Sequence, residues 1–368
     1  VIPKARAHIN VTAITHEGMS GKNNEDRYGV SAYTLSETDP TPALFAIVAD
    51  GIGGHQAGEI AAELAVETIS HAVAASDASD PLVTLKDAIS QAGRAVHKQS
   101  KSDLAQHGMG STCVCAWIIG DKIYTASVGD SRIYLLRGGK IRQISTDHTW
   151  VQEAIQYGII TPDQAQGHPQ SHIIRRYLGS EKPAEADFRL RLDSEETDEQ
   201  AAANQGMTLL PDDQLILCSD GLTDLVEDGE IQTAIEESGV EAGLQRLVDL
   251  ANQRGGHDNI TIVVLQVPDE KRQPDQKKRS SAKAVWGVGV IAAILALIIV
   301  VVIGFFAWRF TRPEVTSAPT SQPAPPAIIE TSLPPADIVT ETPAILPPTQ
   351  APPPQATYTV WPTNTPSP

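Results

Sequence analysis

The chain predicts an α+β domain in which antiparallel sheets are covered by helices, followed by one membrane-spanning helix and an extended tail. Three observations carry this reading. Short strand-like runs joined by two-residue turns fill Cys113 to Ile144, two amphipathic segments lie between Gly58 and Lys98, and no charge interrupts Ala284 to Trp308.

Leu44 to Ala49 is too short and too uniformly apolar for a surface helix and reads as a buried strand. Beyond the Gly53-Gly54 pair, Gly58 to Ala74 places Ile60, Leu64, Ala65, Ile69 and Val73 at three- and four-residue spacings, as a helix with one buried face requires. A second helix is expected from Pro81 to Lys98, with Pro81 at its start and Leu82, Leu85, Ile89 and Val96 on one face. Cys113 to Ile119, Lys122 to Ser127, Arg132 to Arg137 and Lys140 to Ile144 are separated by Gly120-Asp121, Gly129-Asp130 and Gly138-Gly139, and read as antiparallel hairpins. Asp147 to Gly179 is helical and irregular. A strand is expected at Phe188 to Leu192, then a solvated acidic loop from Asp193 to Gln200, which lacks the Gly-centred alternation of a calcium loop. A last helix, about Gly229 to Asn252, precedes a closing strand at Ile260 to Leu265.

Ala284 to Trp308 is long enough, at about 1.5 Å per residue, to cross the roughly 30 Å hydrocarbon core of a bilayer. Trp286 and Trp308 stand near its ends as interfacial anchors. Lys271, Arg272, Lys277, Lys278, Arg279 and Lys283 precede it, whereas Arg309 and Arg312 follow. The positive-inside rule therefore puts the large domain in the cytosol, and no apolar leader run occurs at Val1 to Gly18 to export it. The expected organisation is a folded domain over 1–270, a basic juxtamembrane linker over 271–283, a membrane helix over 284–308 and an extracytoplasmic Pro/Thr-rich tail over 309–368. That tail has too few large apolar groups to fold alone, and serves either as a stalk or only for solubility. A formal net charge of −17 argues against nucleic acid as a partner. Cys113, Cys115 and Cys218 lie in apolar runs without metal-finger spacing and read as small buried residues of a reducing compartment.

The chemistry lies in the acids. Asp50 and Asp220 end apolar runs and precede Gly51 and Gly221, and Asp258 opens the last one; Glu25, Asp26 and Asp130 add to the set. One Asp-Gly pair is ordinarily a turn, but several at strand edges point to a common cluster. Oxygen donors without His or Cys favour hard cations, so Mn²⁺ or Mg²⁺ is expected. Two such ions sharing a carboxylate lower the pKa of a bound water and neutralise phosphoryl oxygens, which makes phosphate-ester hydrolysis the natural reaction.

From about Asn10 to Val267 the chain resembles the metal-dependent protein phosphatase family, also called protein phosphatase 2C, in its bacterial form. The motifs stand in family order: Asn24-Glu25-Asp26, Ala49-Asp50-Gly51-Ile52-Gly53-Gly54-His55, Gly110-Ser111-Thr112, Val128-Gly129-Asp130-Ser131-Arg132, Asp147-His148, Cys218-Ser219-Asp220-Gly221-Leu222 and Asp258-Asn259-Ile260-Thr261. The resemblance implies a four-layer α-β-β-α sandwich of two antiparallel sheets flanked by helices. It implies that Asp50 bridges two core ions, that the Gly51 carbonyl joins one and that Asp220 and Asp258 ligate the other. Glu25 and Asp26 would hold metal-bound waters, Asp130 with Asp220 a possible third ion, and Asp147 to Gly179 would be a flap where Arg175 and Arg176 could meet phosphopeptide. Two positions depart from the pattern. Gly21 stands where many relatives carry a phosphate-gripping Arg, leaving Lys22 as a substitute without bidentate geometry. Ile52 stands where animal relatives carry a general-acid His, so that role falls to His55 or to metal-bound water.

The expectation is a membrane-anchored phosphatase of phosphoserine and phosphothreonine in cytosolic proteins, with serine/threonine protein kinases and their phosphorylated substrates as partners. Its rivals are a catalytically silent phosphoprotein-binding scaffold and a membrane sensor whose tail receives the signal.

Overall fold

The computed structural model describes residues 1–53, 57–102, 104–165 and 167–269. His55, the linker 271–283, the expected membrane helix 284–308 and the tail 309–368 lie outside the described residues. Among the described residues no helix is long and apolar enough to cross a membrane.

The chain begins with β1 (Ile2–Pro3), β2 (Asn10–His16), β3 (Arg27–Thr34), β4 (Pro42–Ala49) and β5 (Gly51–Ile52), then enters α1 (Ala57–Ala75) and α2 (Pro81–Ser102). Next come β6 (Gly110–Ser111), β7 (Cys113–Ile119), β8 (Lys122–Val128), β9 (Arg132–Arg137) and β10 (Lys140–Gln143). The short helices α3 (Trp150–Gln156), α4 (Pro162–Ala165) and α5 (Asp198–Ala203) follow. The described fold ends with β11 (Met207–Thr208), β12 (Gln214–Cys218), α6 (Asp220–Thr223), α7 (Asp228–Ser238), α8 (Val240–Gln253) and β13 (Ile260–Gln266).

Two antiparallel sheets result, ordered β1-β3-β4-β7-β8-β11 and β10-β9-β12-β13-β2, with β5 and β6 as a small separate pair. Side-chain alternation divides β4 between two cores. Phe45 and Ile47 pack with Ile69, Leu85 and Ile89 of α1 and α2, while Leu44, Ala46 and Val48 meet Leu215, Leu217, Val263 and Leu265 of the other sheet. Burial on both faces explains why this strand is apolar without interruption. On the far side, Ile216, Ile262 and Tyr134 pack against Ile231, Ile235, Leu244 and Leu247 of α7 and α8. The layers are therefore helix, sheet, sheet, helix, as the resemblance implies.

Four local expectations are corrected. Gly129-Asp130 does not close a hairpin: β8 belongs to the six-stranded sheet and β9 to the five-stranded one, so the turn crosses between sheets. Phe188 to Leu192 forms no ladder, because its amides bond to scattered partners; Leu190 N–H reaches the Ala201 carbonyl and Arg191 N–H the Ile144 carbonyl. The acidic stretch from Asp193 to Gln200 is not all loop. Thr197 and Gln200 cap α5 reciprocally, and Asp198 pairs with Arg189 and Arg191. Finally, Gly239, at φ 74°, divides the expected last helix into α7 and α8.

Candidate active site

The strand registers bring the acids together. Arg27 pairs with Ala49, so one residue further out Asp26 and Asp50 leave the first sheet side by side. Cys218 pairs with Arg132, so two residues further out Asp220 and Asp130 face each other at the same end of the second sheet. Asp258 leads into β13 two residues before Ile260.

Glu25, Asp26 and Asp50 are held through their backbone N–H groups, and Asp26 through one carboxylate oxygen as well. The Asp50 N–H donates to Thr112 Oγ1 at 2.9 Å, and the Thr112 N–H returns a bond to the Asp50 carbonyl at 2.8 Å. Thr112 Oγ1 also contacts Ser131 Oγ at 2.7 Å, which ties Asp50 to the Asp130 turn. Ser219 Oγ donates to Asp26 Oδ2 at 2.7 Å and accepts the Thr261 N–H at 3.0 Å. The Asn259 Oδ1 accepts the Glu25 N–H at 2.7 Å, and Asn24 Oδ1 the Asp26 N–H at 3.0 Å. Gly51 sits where a Cβ would lie 2.2 Å from the Gly58 carbonyl oxygen and 2.7 Å from that of Glu25, so no larger residue fits there.

Burial and mutual repulsion raise the affinity of these acids for protons. Asp26, only 3% exposed, is pushed up to about 7 by burial, with Asp220 and Asp258 adding to the rise against the opposing Ser219 and Thr261 hydrogen bonds. Asp220 is pushed up to about 6, again by burial first and then by Asp224. Burial and neighbouring carboxylates also carry Asp50 and Asp130 well above the usual carboxylate range, and the Asp50 and Asp220 carboxyl groups share a hydrogen bond. Glu25 is raised by burial and by Asp258, while the Gly58 N–H and Lys22 pull it back.

Glu25 Oε1, Asp26 Oδ1, Asp130 Oδ1 and Asp220 Oδ1 are buried without a hydrogen-bond partner. Orphaned carboxylate oxygens are costly in a protein interior, and four of them at one end of the sandwich are the donor set a hard divalent cation requires. Among the described residues no group of three or more His, Cys, Asp or Glu side chains forms a ready-made metal site. An open set that leaves room for water and the Gly51 carbonyl remains consistent with such an ion.

The other expected residues are placed as follows. Lys22 is exposed but near enough to Glu25 to act on its carboxyl group. Arg175 pairs with Glu153 inside the flap, and Arg176 donates to the Glu185 carbonyl at 3.2 Å, so both are engaged within the fold. Sequence reasoning missed Asp224, which burial raises and which bonds to the flap through His172 Nδ1 at 3.1 Å. Its signal was the spacing: Asp220 and Asp224 stand four residues apart, as neighbours on one helical face do.

A two-sheet sandwich with buried carboxylates gathered at one end defines a class of metal-dependent hydrolase folds, and comparison with known proteins narrows it. The family model described as "Protein phosphatase 2C" matches residues 15–258, more than half of the chain. The chain belongs to the protein phosphatase 2C family. It is 33% identical over 261 residues to the serine/threonine protein phosphatase PstP of Mycobacterium tuberculosis, a match covering 71% of this chain and 45% of that protein. It thus spans about half the length of that relative. The serine/threonine phosphatase stp of Listeria monocytogenes is 32% identical over 257 residues, covering 68% of this chain and 93% of that one. Among solved structures, the serine/threonine phosphatase of S. agalactiae superposes with a TM-score of 0.60 at 31% identity, covering 70% of this chain and 99% of that one. The PstP catalytic domain in complex with two manganese ions gives 0.56 at 31% identity, covering 71% and 99%.

Proposed function

We propose that this chain is a metal-dependent protein serine/threonine phosphatase, anchored in the cell membrane by residues 284–308 with its catalytic domain in the cytoplasm. The observation that carries the catalytic reading is the set of four buried carboxylate oxygens without partners. The manganese-bound relative supports Mn²⁺ or Mg²⁺ as their counter-charge. In this reading Asp50, the Gly51 carbonyl, Asp220 and Asp258 hold two core ions, Glu25 and Asp26 bind the surrounding water, and Asp130 with Asp220 holds a third. Ions held by these residues would supply an acidified water and counter-charge for phosphoryl oxygens.

The chain's own residues supply the rest. Thr112 and Ser219 fix the orientation of Asp50 and Asp26, and Lys22 gives a point charge at the rim for substrate phosphate. Phosphorylated proteins are the substrates, and serine/threonine kinases the opposing partners. The anchor rests on the uncharged stretch and its basic flank.

The test is hydrolysis of a phosphothreonine peptide by the full chain in mild detergent, with Mn²⁺ and with chelator, against Asp50→Asn and Asp220→Asn. Activity should need the metal and fall by at least about 100-fold in either variant. A folded chain that binds Mn²⁺ and the phosphopeptide without hydrolysis would instead mark a scaffold.

A further inference from the structure

The residue that stands at the junction of flap, inter-sheet crossing and outer loop is His148, 5% exposed and outside the carboxylate cluster. Four contacts converge on it. The Gly129 N–H donates to its Nδ1 at 3.0 Å. Its Nε2 bonds to Asp187 Oδ2 at 3.0 Å. Its own backbone N–H donates to the Gly129 carbonyl at 2.9 Å, and its carbonyl accepts the Arg175 N–H at 2.7 Å. Because Nδ1 accepts, the ring proton lies on Nε2 and is donated to Asp187, whose other partner is Arg189. Hydrogen bonds from His148 and Arg189 hold the Asp187 carboxyl below the usual carboxylate range against the cost of its burial.

The crossing is held on one side by the Thr112 Oγ1–Ser131 Oγ contact and on its Gly129 peptide by His148. Gly129 is at φ +105°, and a Cβ there would lie 2.7 Å from Thr112 Cβ and Cγ2, so the turn is pressed against the residue that fixes Asp50. His148 clamps Gly129 at both its N–H and its carbonyl. The next residue, Asp130, is 7% exposed with Oδ1 unpartnered. On the other flank of His148, Thr149 bridges Ile174 and Trp150 N–H bonds to the Ile173 carbonyl at 2.9 Å, which closes the base of the flap.

We propose that His148 is a positioning residue that sets the Asp130 carboxylate for its metal ion and locks that setting to the base of the flap. The inference rests on the metal role proposed for Asp130. It assigns the acceptor nitrogen Nδ1, and not the mere bulk of the ring, as the active feature. Asp187, held by Arg189, acts by keeping the proton on Nε2, as carboxylates behind metal-ligating histidines do one shell further in.

Two substitutions separate the ring's nitrogens. His148→Asn places an amide oxygen near the Nδ1 position, and His148→Gln reaches Asp187 but offers Gly129 nothing. Mn²⁺ binding to the full chain is read from the resonance of free Mn²⁺, and exchange of the Gly129 amide by hydrogen–deuterium exchange, with Asp130→Asn as the reference. H148Q should weaken the same site that D130N removes by about tenfold, the usual scale for an outer-shell partner, and should speed Gly129 exchange. H148N should restore both. Equal losses in H148N and H148Q, or an H148Q site as tight as the parent's, would overturn the proposal. Should H148Q not fold, the parent protein and H148N still decide: rapid exchange of Gly129 in the parent, or a weakened site in H148N, refutes it. A parent chain that binds no Mn²⁺ at all would strike the metal reading itself, a result distinct from any difference among the variants.

Discussion

At the scale of single residues, the site depends on hydroxyls as much as on carboxylates. Ser219 serves Asp26 Oδ2 and the Thr261 N–H together, so Ser219→Ala strands the buried Thr261 N–H and takes one of two side-chain hydrogen bonds from the Asp26 carboxyl. A loss of about 1–3 kcal/mol is expected in urea unfolding, with Mn²⁺ affinity reduced as well. Thr112→Val removes the acceptor of the Asp50 N–H and should cost a similar amount, although its shape and volume are kept. A stability within about 0.3 kcal/mol of the parent would show that these hydroxyls do not hold the acids. Asp50, Asp220 and Asp258 could be singled out from sequence because each adjoins an apolar run. Ser219 and Thr112 could not, since a hydroxyl near a strand end has many ordinary uses. Asp224 was hidden in the same way, and only its distance from Asp220 along the chain pointed to a shared face.

At the scale of elements, strands buried on both faces or ending in tight turns were easiest to read. Cys113–Ile119 and Arg132–Arg137 have the expected bounds. β2 and β3 drew no expectation, because most of their side chains are only half buried and neither shows clean apolar alternation. The hairpin misreading at Gly129-Asp130 has a physical source: a Gly-Asp pair permits the turn but does not say which sheet receives the next strand. Tertiary docking also decided Phe188 to Leu192, whose bonds go to several elements instead of one neighbour. The helix α5, missed within an acidic run, offers a direct check. Thr197→Ala removes one half of its capping box and should lower stability by about 1 kcal/mol, measured by urea titration. Phosphatase activity should be unchanged, since α5 contributes no acid to the cluster.

At the scale of the whole molecule, the gathered acids make stability depend on pH and metal together. Asp26 and Asp220 have folded values of about 7 and 6, against about 4 in an unfolded chain. Between those limits the metal-free fold binds more protons than the unfolded chain, so its stability falls as pH rises through that window. In chelator the melting temperature should therefore be higher at pH 5 than at pH 7.5, and Asp26→Asn should flatten part of that slope. Mn²⁺ should raise the melting temperature more at pH 7.5, where fewer protons must leave; equal shifts at both pH values would contradict this. The crossing at Gly129-Asp130 has a consequence for how the molecule folds. The β7-β8 and β9-β10 hairpins are local in sequence and can form early, but Asp50 and Asp26 meet Asp130 and Asp220 only after the two sheets have docked. An ion that needs acids from both sheets can bind only on the native side of the folding barrier. Mn²⁺ should then slow unfolding while leaving the refolding rate in dilute denaturant nearly unchanged, so that the same acids that hold the ions also set the lifetime of the folded state.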